Sequence, residues 1–181
     1  HIELNAIDLA WDIIGRFDSE KLPRAYYDDW INVAKDEAEH FDILTKRLVD
    51  LGSKYGDHPA HNGLWEAARN TSDDLAARLA LVPMVLEARG LDTIPKAVQR
   101  LLSSGDKESA KILKTIGTEE IPHVAAGVRW FEFICAKRKI NPVPEFHRLV
   151  AERFKGKLKA PFNDIARAEA HFSTAYYHPL A

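Results

Sequence analysis

The chain predicts an all-α fold, a four-helix bundle with one long crossover and extra C-terminal helices, from three observations. First, Glu-x-x-His occurs twice, at Glu37/His40 and Glu120/His123, and each copy follows a lone glutamate, Glu3 or Glu87. Second, 34 positions separate Glu3 from Glu37 and 33 separate Glu87 from Glu120, about one helix, a turn and part of the next helix. Third, all six residues fall on apolar helical stripes. Two similar helical hairpins would bring these stripes into one core. Bundles of the ferritin-like class build a di-iron or di-manganese site from one Glu on each of two helices and Glu-x-x-His on each of the other two.

The elements follow in order. Helix one is expected over about residues 1 to 17, where Ile7, Ala10, Ile14 and Phe17 share the stripe of Glu3. The run Asp18-Ser19-Glu20-Lys21-Leu22-Pro23 breaks it. Asp28 or Asp29 serves as N-cap for a helix over about 29 to 51, which Gly52 stops and whose stripe carries Trp30, Val33, Leu44, Leu48 and Leu51 beside Glu37 and His40. Residues 52 to 70, with Gly52, Gly56, Pro59 and Gly63, read as the long connection across the bundle. Thr71-Ser72-Asp73-Asp74 marks the start of a third helix over about 72 to 89, with Ala80, Met84 and Leu91 in line with Glu87 and Gly90 as its stop. A short helix over 95 to 103 precedes a long one over about 106 to 138. On the latter, Leu113, Ile116, Gly127, Trp130 and Ile134 line up with Glu120 and His123, and Gly117 and Pro122 are places for a bend. Pro122 removes a backbone donor inside Glu-x-x-His, so that turn is expected to kink or widen. The whole chain, 1–181, reads as one domain, with the bundle over about 1–138 and an extension over about 139–181.

The spacing has a chemical reason. Residues three apart on a helix share a face, so each Glu-x-x-His offers a carboxylate and an imidazole to one region. Iron(II) and manganese(II) accept this mixed oxygen and nitrogen set. Four carboxylates also balance two divalent ions, and four unpaired carboxylates on core stripes would be strongly destabilising without cations. The expected metal ligands are therefore Glu3, Glu37, His40, Glu87, Glu120 and His123. Two Fe ions are the expected cofactor, with Mn or a mixed Mn/Fe pair as alternatives.

Composition narrows the class. At 181 residues and 46% hydrophobic content, the chain can bury one good core. No apolar run approaches a membrane span. Cys135 is the lone cysteine, which rules out a disulfide within the chain and favours a reducing, cytoplasmic setting. It reads as a small core residue rather than a nucleophile.

The remaining candidates carry weaker signals. His58, His61, His147, His171 and His178 have no repeated partner spacing, and His1 points away from the region of Glu3 on a helix. Tyr26, Tyr27 and Tyr55 could approach the site. Arg89 reads equally as a partner of a ligand carboxylate and as a helix-end arginine favoured by the dipole. From Lys137 to Lys159 the basic residues Lys137, Arg138, Lys139, Arg148, Arg153, Lys155, Lys157 and Lys159 outnumber Glu145 and Glu152. That segment could contact phosphate, but it lacks interleaved aromatics for base stacking, and a solvated tail covering the bundle is the favoured reading.

The segments His1-Ile2-Glu3-Leu4, Asp36-Glu37-Ala38-Glu39-His40-Phe41, Tyr55-Gly56-Asp57, Leu86-Glu87-Ala88-Arg89-Gly90-Leu91-Asp92, Glu119-Glu120-Ile121-Pro122-His123-Val124 and Pro161-Phe162-Asn163 together resemble one family. It is the bacterial ferritin-like family catalogued as domain of unknown function 455, and the resemblance spans nearly the whole chain. It implies a ferritin-like fold and a di-metal centre at Glu3, Glu37, His40, Glu87, Glu120 and His123. Members usually carry an additional N-terminal part. A more distant similarity is to the tRNA-modifying MiaE-type hydroxylases.

Three functions are therefore weighed. An oxygen-activating oxidoreductase, a hydroxylase or oxidase of an organic substrate, is favoured; its partners would be dioxygen, a small-molecule substrate and an external electron donor. A ferroxidase or peroxide scavenger is the second, disfavoured because no Cys-x-x-Cys pair is present and Ala38 stands where a haem-ligating methionine would follow Glu37. A bundle merely held together by its metal is the third, and it predicts a closed site. Nucleic acid is a less favoured partner, no membrane is expected, and a homodimer is compatible with the chain.

Overall fold

The computed structural model describes residues 1–181 and is helical, without a strand. Its bundle comprises α1 (Ile2–Arg16), α2 (Arg24–Asp50), a third rod and α6 (Lys107–Arg138). The third rod is compound. It runs from α4 (Leu75–Leu81) through a π-helical segment (Val82–Glu87) into α5 (Ala88–Ser103). α1 pairs with α2 and α5 with α6, while α2, α4 and the π segment all pack on α6. No helix is long and apolar enough to cross a membrane.

Local chemistry sets most boundaries. Pro23, extended at φ −66 and ψ 155, caps α2 five residues before Asp28 and six before Asp29, the expected caps. Those aspartates do other work: Asp28 faces Arg24, and Asp29 accepts from Arg129 Nη1 and Trp130 Nε1, both at 2.8 Å, tying α2 to α6. The 52–70 connection is not all loop. Gly63–Asn70 forms α3, whose Leu64 and Ala68 pack with Leu9 of α1 and Val82. Asp74 and Asp106 cap α4 and α6 by accepting from Ala76 N and Ser109 N.

Two expectations about the helices are corrected. Gly90 does not end the third helix, which continues without a break to Ser103. A glycine weakens a helix by about 1 kcal/mol at most, and packing along α6 outweighs that. Nor does Pro122 widen its turn, because α6 stays α-helical through it. Pro122 and Thr118 are exposed, so water can satisfy the carbonyl that the proline leaves free. The widened turn sits across the bundle at Pro83, where Ala88 N–H reaches back to Pro83 O in an i to i−5 bond.

Gly127 explains how that turn packs. A Cβ there would lie 2.6 Å from Pro83 Cβ, so only glycine lets α6 approach the π segment this closely.

The C-terminal extension is also more than a tail. It folds as α7 (Pro142–Arg153), α8 (Asp164–Glu169) and α9 (Thr174–Tyr177). Phe146, Leu149, Phe172, Tyr176 and Tyr177 are buried in the same apolar cluster as Phe131 and Leu79 of the bundle. A solvated covering would not bury five large side chains.

Candidate metal centre

The six expected ligands converge mid-bundle, one from each of α1 and the π segment and two from each of α2 and α6. Glu37 and His123 are each 1% exposed, His40 2% and Glu120 7%, while Glu3 and Glu87 are partly buried. Ligand atoms of Glu3, Glu37, His40 and Glu120 all lie within 4.8 Å of one another.

Glu37 and Glu120 occupy the middle. Glu37 Oε2 lies 3.6 Å from His40 Nδ1, and its Oε1 lies 3.3 Å from His123 Nδ1. Glu120 repeats this, with Oε1 3.8 Å from His40 Nδ1 and Oε2 3.4 Å from His123 Nδ1. Each carboxylate thus spans both imidazoles, one oxygen to each. Of the lone glutamates, Glu3 shares the cluster of Glu37, His40 and Glu120, and Glu87 is carried on the widened turn.

The outer nitrogens of the two rings reveal residues that the motif search passed over. His40 Nε2 donates to Glu119 Oε2 at 2.9 Å, and His123 Nε2 donates to Asp36 Oδ2 at 3.3 Å. Each histidine is therefore held by the acid that immediately precedes the glutamate of the opposite motif. A signal existed in the chain: both motifs read acid-Glu-x-x-His. With Nε2 protonated and donating, Nδ1 is left facing the centre, as in the carboxylate–histidine–metal arrangement.

That inner face is unsatisfied. Glu37 Oε2, His40 Nδ1, Glu87 Oε2 and His123 Nδ1 are buried without a hydrogen-bond partner, although buried polar atoms are rarely left so. Buried oxygen and nitrogen atoms left without partners fit divalent cations, and their chemistry suits iron(II) or manganese(II).

Electrostatics without cations records the same crowding. Burial and the Glu37 carboxylate push Glu3 up to about 8, and burial with Glu37 and Glu120 pushes Glu87 up to about 8. Burial opposes the charge on Glu37 too, but contacts from His123 and His40 outweigh it and hold the carboxyl down to about 2. The imidazoles move the other way. Burial pulls both down, yet Glu37 and Glu119 raise His40 to about 9, and Glu120 and Glu37 raise His123 to about 11.

Comparison with known proteins shows the family of the chain. The sequence pattern described as "Protein of unknown function (DUF455)" matches residues 1–178. The chain belongs to that family. An uncharacterised protein from Haemophilus influenzae is 39% identical over 178 residues, covering 96% of this chain and 62% of its own length. The chain therefore spans less than two thirds of that relative. No solved structure matches it.

Two of the segments on which the sequence resemblance rests meet away from the centre. Asp92 of the Glu-Ala-Arg-Gly-Leu-Asp run accepts from Arg167 Nε at 3.0 Å and Nη2 at 2.7 Å, and from Asn163 N at 2.9 Å. Asn163 Nδ2 returns to Leu91 O at 3.1 Å. Pro161-Phe162-Asn163 and the run after Glu87 therefore lock the extension to the bundle.

The weaker candidates stay outside the centre. Arg89 donates to Lys159 O at 2.6 Å rather than to a ligand carboxylate, and its dipole rationale lapses because the helix does not end there. Tyr26 donates to Ile13 O, Tyr27 to Asp18, and Tyr55 packs edge-on against Phe41. His1 packs on His61, His147 lies 3.0 Å from the carbonyls of Ala175 and Tyr176, and His178 pairs with Asp164. Cys135 is buried, and burial pushes its thiol up to about 11, which suits a core residue.

Proposed function

We propose that this protein is a di-metal carboxylate oxidoreductase that activates dioxygen against an organic substrate, with two iron ions held by Glu3, Glu37, His40, Glu87, Glu120 and His123. One observation carries the reading: buried carboxylate and imidazole atoms of Glu37, His40, Glu87 and His123 have no hydrogen-bond partner, while both imidazoles are held from behind by acids. Iron bound there would supply redox chemistry with dioxygen, as it does in non-haem oxygenases.

The chain's own residues have separable tasks. Glu37 and Glu120, whose carboxylates each span both imidazoles, would hold metal at the middle of the centre, and Glu3 and Glu87 would complete the carboxylate set. Glu119 and Asp36 hold the histidine tautomers and keep Nδ1 turned inward. A narrow void of about 10 Å³ borders Glu87 between Ala6, Ala10, Trp30, Val33, Arg78 and Val82, with room for about one water.

The test is metal analysis of anaerobically purified protein followed by addition of dioxygen. About two iron ions per chain and one oxidation event per centre, with the iron retained, is the expected result. Continuous turnover of many added iron(II) ions would favour the ferroxidase instead. Protein that purifies and refolds without transition metal would reject both.

A further inference from the structure

Beyond the centre, α5 and the segment from 154 to 162 enclose a cleft of about 240 Å³. Arg89, Lys157, Lys159 and Arg167 line it, while Leu86 and Phe154 give it an apolar wall. A second cleft of about 480 Å³ shares Arg89 and Asp92 and adds Lys96 and Arg100.

Three features separate this place from an ordinary basic surface. The arginines of the basic run outside the cleft are paired, as is Lys137: Lys137 and Arg138 face Glu20, Arg148 faces Glu145 and Glu152, and Arg153 faces Asp73. Arg89, Lys157 and Lys159 have no such carboxylate. The one acid in the wall, Asp92, has both oxygens spent on Arg167 and Asn163. Finally, Arg167 is 3% exposed, yet its Nη1 is buried without a partner. Tyr177 covers the face of that guanidinium at 4.3 Å, but the N–H bonds lie in its plane and cannot be satisfied by the ring.

We infer that this cleft binds the phosphate group of a phosphorylated organic molecule, with Arg89, Lys157 and Lys159 as donors and Arg167 in its wall. A single carboxylate would leave most of that positive charge unbalanced, whereas a phosphate brings nearly two charges and three acceptor oxygens. The apolar wall suits the organic part. Leu86 and Arg89 flank Glu87, so the bound molecule lies along the strip of chain that carries a candidate ligand. That it is the substrate of the centre rests on the proposed function; that the cleft takes phosphate does not.

The experiment is calorimetric titration with inorganic phosphate at fixed ionic strength, on the protein as purified and after chelation. Binding is expected in both states, about tenfold weaker in Arg89→Gln and in the Lys157→Gln/Lys159→Gln double variant, and unchanged in Lys46→Gln, whose lysine pairs with Asp42 on α2. Arg89→Lys should recover part of the loss. Binding that disappears on chelation but survives Arg89→Gln would place the phosphate on bound metal and overturn the inference. Equal binding of acetate, or no binding of phosphate at all, would also overturn it. So would binding of a single-stranded RNA oligonucleotide, steep in salt, when inorganic phosphate does not bind. Metal content measured on the same samples keeps failure of the cleft distinct from failure of the centre.

Discussion

At the scale of single residues, the centre is a set of charges whose stability depends on what neutralises them. In the chelated protein, Glu87 has a folded value of about 8 against an ordinary 4.5, and Glu3 behaves alike. Their favourable contribution is complete below pH 4.5 and is lost as pH rises toward 8. His40 and His123, raised from 6.5 to about 9 and about 11, contribute fully below 6.5 and lose that contribution through the same two higher values. Glu37, lowered to about 2, contributes above 4.5 and loses it only as pH falls to 2. The chelated protein should therefore be most stable near pH 5 and melt progressively lower toward pH 8, a trend that thermal melts would detect. Glu87→Gln should flatten it between pH 5 and 8. If the chelated wild type instead gains stability across that range, the carboxylate crowding described for the centre is wrong.

The acids behind the histidines give a second residue-scale expectation. Asp36→Asn and Glu119→Gln remove the charge that orients each imidazole without touching an expected ligand. Each should weaken metal affinity by about 10- to 100-fold while leaving the fold intact by circular dichroism. An equilibrium metal titration measures this, and wild-type affinity in both variants would show that the two contacts do not orient a ligand.

At the scale of elements, the close approach of α6 to the π segment is decided by Gly127 and Pro83. A methyl at position 127 would meet Pro83 Cβ at 2.6 Å, inside any permitted contact, so one element must move. Gly127→Ala should destabilise the protein by about 1–3 kcal/mol, read from chemical denaturation. Because Glu87 ends the displaced segment, metal content should fall as well. Loss of stability with full metal occupancy would indicate that Glu87 is not fixed by this contact.

At the scale of the whole molecule, cations and the C-terminal extension close the structure. If two ions neutralise the centre, chelation should lower the melting temperature by on the order of 10 °C, since binding at high saturation is worth about 4 kcal/mol. An unchanged melt would mean that no ion contributes. The extension depends on the buried Asp92–Arg167 pair, whose side chains are 2% and 4% exposed. Breaking one partner of a buried pair costs about 3–5 kcal/mol. Asp92→Asn should therefore loosen α7 to α9 and open the 154–162 segment to limited proteolysis, while the α1–α2 hairpin stays protected. Wild-type cleavage kinetics would count against the pair as the lock.

The sequence by itself determined the helical class and placed six candidate side chains on core-facing stripes, because a period near 3.6 and a three-residue spacing fix the face on which each side chain stands. Glu3, Glu37, His40, Glu87, Glu120 and His123 could be read together for that reason. What only the tertiary structure decided depends on contacts between residues far apart in the chain. Gly90 looked like a stop but lies inside a helix that α6 supports, and the widened turn fell at Pro83 because Gly127 makes room for it. Asp36 and Glu119 gained their roles by reaching the histidine of the opposite motif, 87 and 79 positions away. Arg167 likewise became part of a cleft only when Asp92, 75 positions earlier, held it there. Local periodicity is a property of neighbours along one helix, whereas the partner of a buried charge is chosen by how the helices pack.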